Sequence, residues 1–200
     1  MGDVKSRRER YAEMTRAAVL DNARRLFAER GFDATSVDDI AQATEISKGG
    51  VYHHFADKKE LFAELFADVL RTSMKTVLTA IADMDTDLER AVEGGRAFLR
   101  GITADHIALA LFATANSVLG VERVRKIDED TVLPLVRALM QGLRDTGQIR
   151  DVPIDATARL IFALMCEATV YIAEQGNDEL ARQDMDAAMA AFLRGLARPA

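Results

Sequence analysis

Two serines eleven residues apart constrain this chain more than any other feature. Thr35 and Ser36 each precede an aspartate by three positions, Asp38 and Asp39, which makes two overlapping capping-box spacings and predicts a short helix carrying Val37, Ile40 and Ala41. A brief turn over Thr44 to Ile46 follows. Ser47 then stands where it can cap a second short helix, Lys48 to Phe55, whose Val51 and Phe55 are i and i+4 and point inward together. Two short helices three or four residues apart, each with a cap and an apolar face, make a helix-turn-helix.

The flanking segments are helical as well. Ala18, Val19, Ala23, Leu26 and Phe27 share a face of a helix from about Met14 to Arg30, stopped by Gly31. Asp57 caps a long helix whose stripe of Leu61, Phe62, Leu65, Phe66, Val69, Leu70, Val77, Leu78 and Ile81 runs to about Ala82. Leu88 to Ile102 is amphipathic, with Glu89, Glu93, Arg96 and Arg100 along its polar side, and His106 to Leu119 is apolar nearly all round. Thr131 to Thr146 is helical if it starts near Asp130, so that Pro134 falls in the first turn, whereas a longer helix from Glu122 through Pro134 would have to kink. Asp155 is placed to cap a helix to about Gln175, and Met185, Met189, Phe192 and Leu196 mark the last one. No alternating strand pattern and no internal repeat lies between them. The expected fold is all-α, with a helix-turn-helix domain over 1–60 and a larger helical domain over 61–200.

Composition agrees and narrows the function. Gly and Pro contribute 12 and 3 of 200 residues, and Trp is absent. Cys166 is the only cysteine, which excludes an intrachain disulfide and a cysteine-based zinc finger and fits a reducing, cytoplasmic location. The longest wholly apolar run, Ile107 to Ala115, is too short to span a bilayer, and no signal-peptide pattern opens the chain. The net charge of −6 arises entirely after Glu60, since residues 1–60 hold 11 basic and 11 acidic side chains. Lys5, Arg7, Arg8 and Arg10 form a basic arm that could lie along a phosphate backbone.

A helix-turn-helix places its second helix in the DNA major groove. With Val51 and Phe55 inward, Lys48, Gly49, Tyr52 and His53 face outward. Lysine supplies a phosphate cation, tyrosine a ring and a hydroxyl, histidine a donor to base edges, and glycines let the backbone approach the groove wall.

Residues Met14 to Leu61, MTRAAVLDNARRLFAERGFDATSVDDIAQATEISKGGVYHHFADKKEL, resemble the DNA-binding domain of the TetR (tetracycline repressor) family of bacterial transcription regulators. The segments GFDATSVDDIA and ISKGGVYHHFADKKEL carry the resemblance. It implies a repressor-like function, a homodimer and a small-molecule pocket in the second domain. It also implies that Ser36 touches phosphate at the first turn of the second helix, that Lys48 and Tyr52 contact the DNA backbone, that Lys58 binds phosphate, and that Gly50 and His53 stand where base readout varies. The candidate DNA-contacting set is therefore Thr35, Ser36, Val37, Lys48, Gly49, Gly50, Tyr52, His53 and Lys58. Two departures stand out. Glu45 replaces the usual turn glycine, so either a non-glycine residue adopts a strained conformation or the turn differs. Gly50 replaces a small Thr, Ser or Ala, which leaves specificity more dependent on Val37, His53 and DNA shape.

In the second domain Phe112 and Asn116 are i and i+4, Met140 is mid-helix, and Met165 and Thr169 are again i and i+4, giving a mainly apolar ligand lining with polar anchors. The helix over Asp155 to Gln175 is apolar on more faces than its own domain can cover, so the last two helices are expected to form a four-helix dimer interface. His53 and His54 point about 100° apart on a helix, and no His or Glu at i+3 or i+4 completes a metal site, so no metal or other cofactor is expected. Cys166 reads as an inert thiol. The alternatives are a constitutive DNA-binding protein without effector, and an all-helical enzyme, for which no triad, phosphate loop or paired-carboxylate spacing speaks.

Overall fold

A computed structural model of the protein describes residues 7–84 and 86–198. Among these the chain forms α1 (Arg7–Arg30), α2 (Val37–Ala43), α3 (Lys48–His54), α4 (Lys58–Ile81), α5 (Asp87–Thr103), α6 (His106–Leu119), α7 (Val121–Thr131), α8 (Leu133–Asp145), α9 (Ile154–Glu174) and α10 (Glu179–Gly195). The described residues contain no strand; one isolated antiparallel bridge pairs Ile149 with Ala197. The all-α expectation holds. Two compact units divide between Leu65 and Phe66, within α4.

In the first unit, Val19, Ala23, Leu26 and Phe27 of α1 are buried, as are Ile40 and Ala41 of α2, Val51 of α3 and Phe55 after it. Phe27, Phe32 and Phe62 form a closed aromatic trio with ring centroids 5.4, 5.7 and 5.5 Å apart. The local signals work as the residues dictate. Gly31, at φ 80°, ends α1 and donates its N–H to the Phe27 carbonyl. Ser36 and Asp39 form a complete capping box, Ser47 Oγ accepts from the Gly50 N–H at 3.1 Å, and Asp57 Oδ1 accepts from the Glu60 N–H at 2.8 Å.

Three local expectations are corrected. The helix expected from Met14 already includes Arg7, the first described residue, so Arg7, Arg8 and Arg10 of the expected basic arm are helical; Lys5 lies outside the described residues. Good helix formers and the Arg7 guanidinium over the Tyr11 ring, 5.8 Å away one turn on, favour that extension. Second, the region before Pro134 is a separate helix. Gly120, at φ 81°, starts α7, and a break at Val132 lets α8 begin at Leu133 with proline in its first turn. Only Val124 and Asp128 of α7 are buried, so the segment has no apolar stripe to read. Third, α9 begins at Ile154 after Pro153, and Asp155 lies in its first turn, where the carboxylate accepts from Arg137 and Arg159 instead of capping.

In the second unit α9 is central and packs on α5, α6, α8 and α10. Phe98 stacks edge-on against both Phe112 and Phe162, with centroids at 6.2 and 5.9 Å, and Phe112 also meets Phe66 at 5.8 Å. Arg137 of α8 is bidentate to Glu129 of α7 at 2.8 and 2.9 Å, and Arg159 of α9 reaches both Glu129 and Asp155, so one ion network joins three helices. Leu78, placed by its spacing in the apolar stripe of α4, is half exposed.

Candidate nucleic-acid interface and cavities of the second unit

The turn between α2 and α3 decides how α3 is presented. Thr44 caps α2 at its C-terminus; the Ile46 N–H donates to the Ala41 carbonyl at 3.0 Å and the Glu45 N–H to Gln42 at 3.1 Å, the paired bonds of a Schellman turn. Such a turn needs a left-handed residue, and Glu45 supplies it at φ 57°. The glutamate therefore adopts the conformation that glycine takes without strain, and the turn keeps its geometry.

With Val51 and Phe55 buried beneath it, α3 exposes Lys48, Gly49, Tyr52 and His53, and Tyr52 is 46% exposed. Lys48 Nζ lies 2.7 Å from Asp38 Oδ2 of α2, a pairing that raises the lysine's affinity for its proton. The rings of His53 and His54 meet edge-on at 5.2 Å; partial burial, with His53 and Arg16 nearby, holds His54 below the usual imidazole range. Gly50 is half-buried, and a Cβ there would meet Ile46 Cδ1 at 3.4 Å. Ser36 is exposed at the start of α2, its carboxylate partner Asp39 held below the usual range by the Ser36 hydroxyl and N–H; Val37 is half-buried beside it.

Two members of the candidate set have inward tasks. Thr35 is completely buried, and its hydroxyl donates to the carbonyls of Gly31 and Leu26 at the end of α1, at 2.9 and 3.2 Å. Its side chain is enclosed, so it cannot touch DNA in this conformation. Lys58 Nζ donates to the carbonyls of Phe32 and Thr35, both at 2.8 Å, and sits 4.1 Å from the centre of the Phe32 ring. The ammonium thereby closes the loop between α1 and α2, leaving one proton free of these two bonds.

The five candidate ligand residues do not converge. Met140 and Met165 line a tight apolar gap of about 30 Å³ with Met74, Ile161 and Leu193. Thr169 is fully buried and donates to the Met165 carbonyl at 2.8 Å, while Phe112 is packed between Phe66 and Phe98. Asn116, expected from its spacing as a polar anchor of the ligand lining, is exposed and borders a different cavity of about 660 Å³ together with Val124, Asp128, Leu133, Phe162 and Cys166. Burial pushes the Cys166 thiol far up, which keeps it an unreactive thiol. Asp128 was missed because α7 was not read as a helix. A third cavity, about 440 Å³, is polar and lies among Arg96, Arg100 and Arg182, each facing a carboxylate.

A capped two-helix motif that exposes a lysine, a tyrosine and a histidine over a buried valine and phenylalanine defines a helix-turn-helix DNA-binding regulator. Residues 19–65 match the family of bacterial regulatory proteins, tetR family, and residues 88–196 match the tetracyclin repressor-like C-terminal domain. The chain belongs to the TetR family of transcriptional regulators. Among curated relatives it is 24% identical over 159 residues to the transposon Tn10 TetC protein of Escherichia coli, covering 78% of this chain and 79% of that one. It is 37% identical over 100 residues to the transcriptional repressor KstR2 of Rhodococcus jostii, covering 48% of each, and 44% identical over 55 residues to the regulator AcrR of Shigella flexneri, covering 28% of this chain and 26% of AcrR. A TetR-family regulator from Pectobacterium atrosepticum, of solved structure, superposes with a TM-score of 0.79 at 28% identity, over 98% of this chain and 100% of that one. The fold is also shared, at 17% identity and TM-score 0.76, by FadR of Bacillus subtilis solved with stearoyl-CoA, over 88% of this chain and 96% of that one.

Proposed function

We propose that this regulator is a repressor that binds a near-palindromic operator as a homodimer and is released by a small molecule held in its second unit. The observation that carries the reading is the outward face of α3, where Lys48, Tyr52 and His53 stand exposed while Val51 and Phe55 fix the helix from below. One such helix reads only a few base pairs, and two-fold protein symmetry supplies the second half-site. Ser36, Lys48, Tyr52 and the free proton of Lys58 take the phosphates; His53 and the bare backbone at Gly49 and Gly50 face the bases, with Val37 at their edge.

Dimerisation is assigned to α9 and α10. Leu160, Leu164 and Phe192 are 67, 36 and 63% exposed, and a second copy of the same surface would cover them. By length and apolar composition α9 could cross a membrane, but four helices of its own unit pack on it, and a partner chain would cover its exposed Leu160 and Leu164. Relatives named as repressors, KstR2 among them, support the direction of regulation. RolR, a structural neighbour at 22% identity, was solved with resorcinol, and FadR with stearoyl-CoA; these support a small-molecule effector and leave its identity to be found. Because α4 supplies Lys58 to the first unit and Phe66–Ile81 to the second, a ligand that biases the position of α4 would alter DNA affinity.

Selection of bound duplexes from a random pool, followed by footprinting, tests the reading. A symmetric consensus protected by a dimer is expected; binding with no sequence preference overturns it.

A further inference from the structure

Among the described residues Asp128 is the one buried carboxylate, 9% exposed, and its Oδ1 has no hydrogen-bond partner. Two arginines, Arg125 and Arg159, line the same cavity as Asp128. Arg137 and Arg159 face Glu129 and Asp155, and Arg125 is exposed. An unpaired buried carboxylate is costly for folding, and a neutral side chain of similar size would serve the core better. Yet Asp128 borders the cavity of about 660 Å³, the largest of the three described, whose apolar walls include Val124, Leu133, Phe162 and Val170 and whose polar lining is Asn116, Arg125, Arg159 and Glu167. The cavity thus sets one unanswered buried acceptor beside apolar walls.

We propose that this cavity, between α6, α7, α8 and α9, is the effector site, and that it selects an organic cation: an apolar body bearing a protonated amine, with Asp128 as its counter-charge. The proposal rests on the effector-released reading above and names the ligand class. An ammonium gives Asp128 both a hydrogen bond and an opposite charge, whereas a hydroxyl gives only the first and an anion repels it. Asp128 is followed by Glu129, whose contacts run to α8 and α9, so a ligand seated on α7 acts directly on the ion network joining these helices.

The test uses the full-length protein and three probes of one shape: 1-naphthylmethylamine, 1-naphthalenemethanol and 1-naphthoate, titrated calorimetrically. The amine is expected to bind at least tenfold more tightly than the alcohol, with the carboxylate weakest, and Asp128→Asn should bring the amine to the level of the alcohol while leaving the alcohol unchanged. Equal binding of amine and alcohol to the wild type, or a preference that survives Asp128→Asn, overturns the proposal, as does the absence of binding by all three. Leu160 and Ala163 border both this cavity and the face assigned to the dimer. An Asp128→Asn protein whose dimer dissociates differently, with the amine preference intact, would make Asp128 an interface residue and equally overturn the proposal. Amine selectivity without any change in operator affinity keeps the cation site and removes the effector reading; a different compound that releases DNA equally from wild type and Asp128→Asn does the reverse.

Discussion

Lys48 and Asp38 join the two helices of the DNA-binding motif through a contact of 2.7 Å. The cation best placed for phosphate is thus already answered by a carboxylate, and DNA must compete with it. Removing the competitor with Asp38→Asn should strengthen binding to both specific and random duplexes. The slope of log K against log salt should steepen by at most about one ion, since one phosphate contact gains strength. An unchanged slope and affinity would show that Lys48 does not meet phosphate.

Lys58 and Tyr52 should separate by phenotype. Lys58→Met strips the hydrogen bonds from the Phe32 and Thr35 carbonyls and is expected to cost about 1–3 kcal/mol of stability along with DNA affinity. Tyr52→Ala, at an exposed position, should change stability by less than about 0.5 kcal/mol yet weaken binding across sequences. Thermal unfolding and binding measured on the same two proteins decide the matter. His53→Ala should instead shift preference at one base pair, by about 1–3 kcal/mol if it makes a good edge contact.

Glu45 occupies a left-handed turn at φ 57°. That conformation costs a non-glycine residue about 1–2 kcal/mol, against about 0.5–1 kcal/mol for the greater freedom that glycine loses on folding. Glu45→Gly should accordingly stabilise the protein by up to about 1 kcal/mol with operator affinity preserved, and Glu45→Val should destabilise it. Denaturant melts of the two variants check the order.

Phe192 is 63% exposed on α10, so Phe192→Asp should leave the protomer folded while placing a carboxylate in the proposed dimer interface. Sedimentation should find a helical monomer with lost operator binding. A dimer of undiminished stability would remove α10 from the interface.

Asp128 imposes a pH dependence on stability. Burial, with Glu129 beside it, pushes its carboxyl from 3.8 up to about 7. Arg125 on the same helix, Arg159, Cys166 and Glu167 on α9 line the cavity with it, and Arg137 on α8 faces Glu129. The folded protein holds this proton more tightly than the unfolded chain, so the stabilisation is fully present below pH about 4 and is lost as pH rises to about 7. Relative to Asp128→Asn, the wild type should lose about 2–3 kcal/mol across that window after allowance for solvent screening, and then level off. Parallel stability curves for the two proteins would contradict it.

The sequence by itself determined the pieces whose causes lie within a few residues. Ser36 with Asp39, Ser47 with Gly50 and Gly31 at the end of α1 are local hydrogen-bond and backbone requirements, and the i, i+4 pairing of Val51 with Phe55 set the outward face of α3 before any contact was known. The same locality made the family legible. Tertiary structure alone decided what depends on residues far apart in the chain. Thr35 looks like a capping hydroxyl until α1 folds back to place the Leu26 carbonyl over it, and Lys58 looks like a free cation until Phe32 and Thr35, 26 and 23 residues earlier, present their carbonyls. Asn116 looks buried because its neighbours are apolar, yet the packing of α6 turns it outward. Asp128 gave no signal, since α7 lacks an apolar stripe, and its isolation arises only where α6, α8 and α9 surround it. Capping and periodicity are short-range, whereas burial and the pairing of charges are properties of the assembled helices.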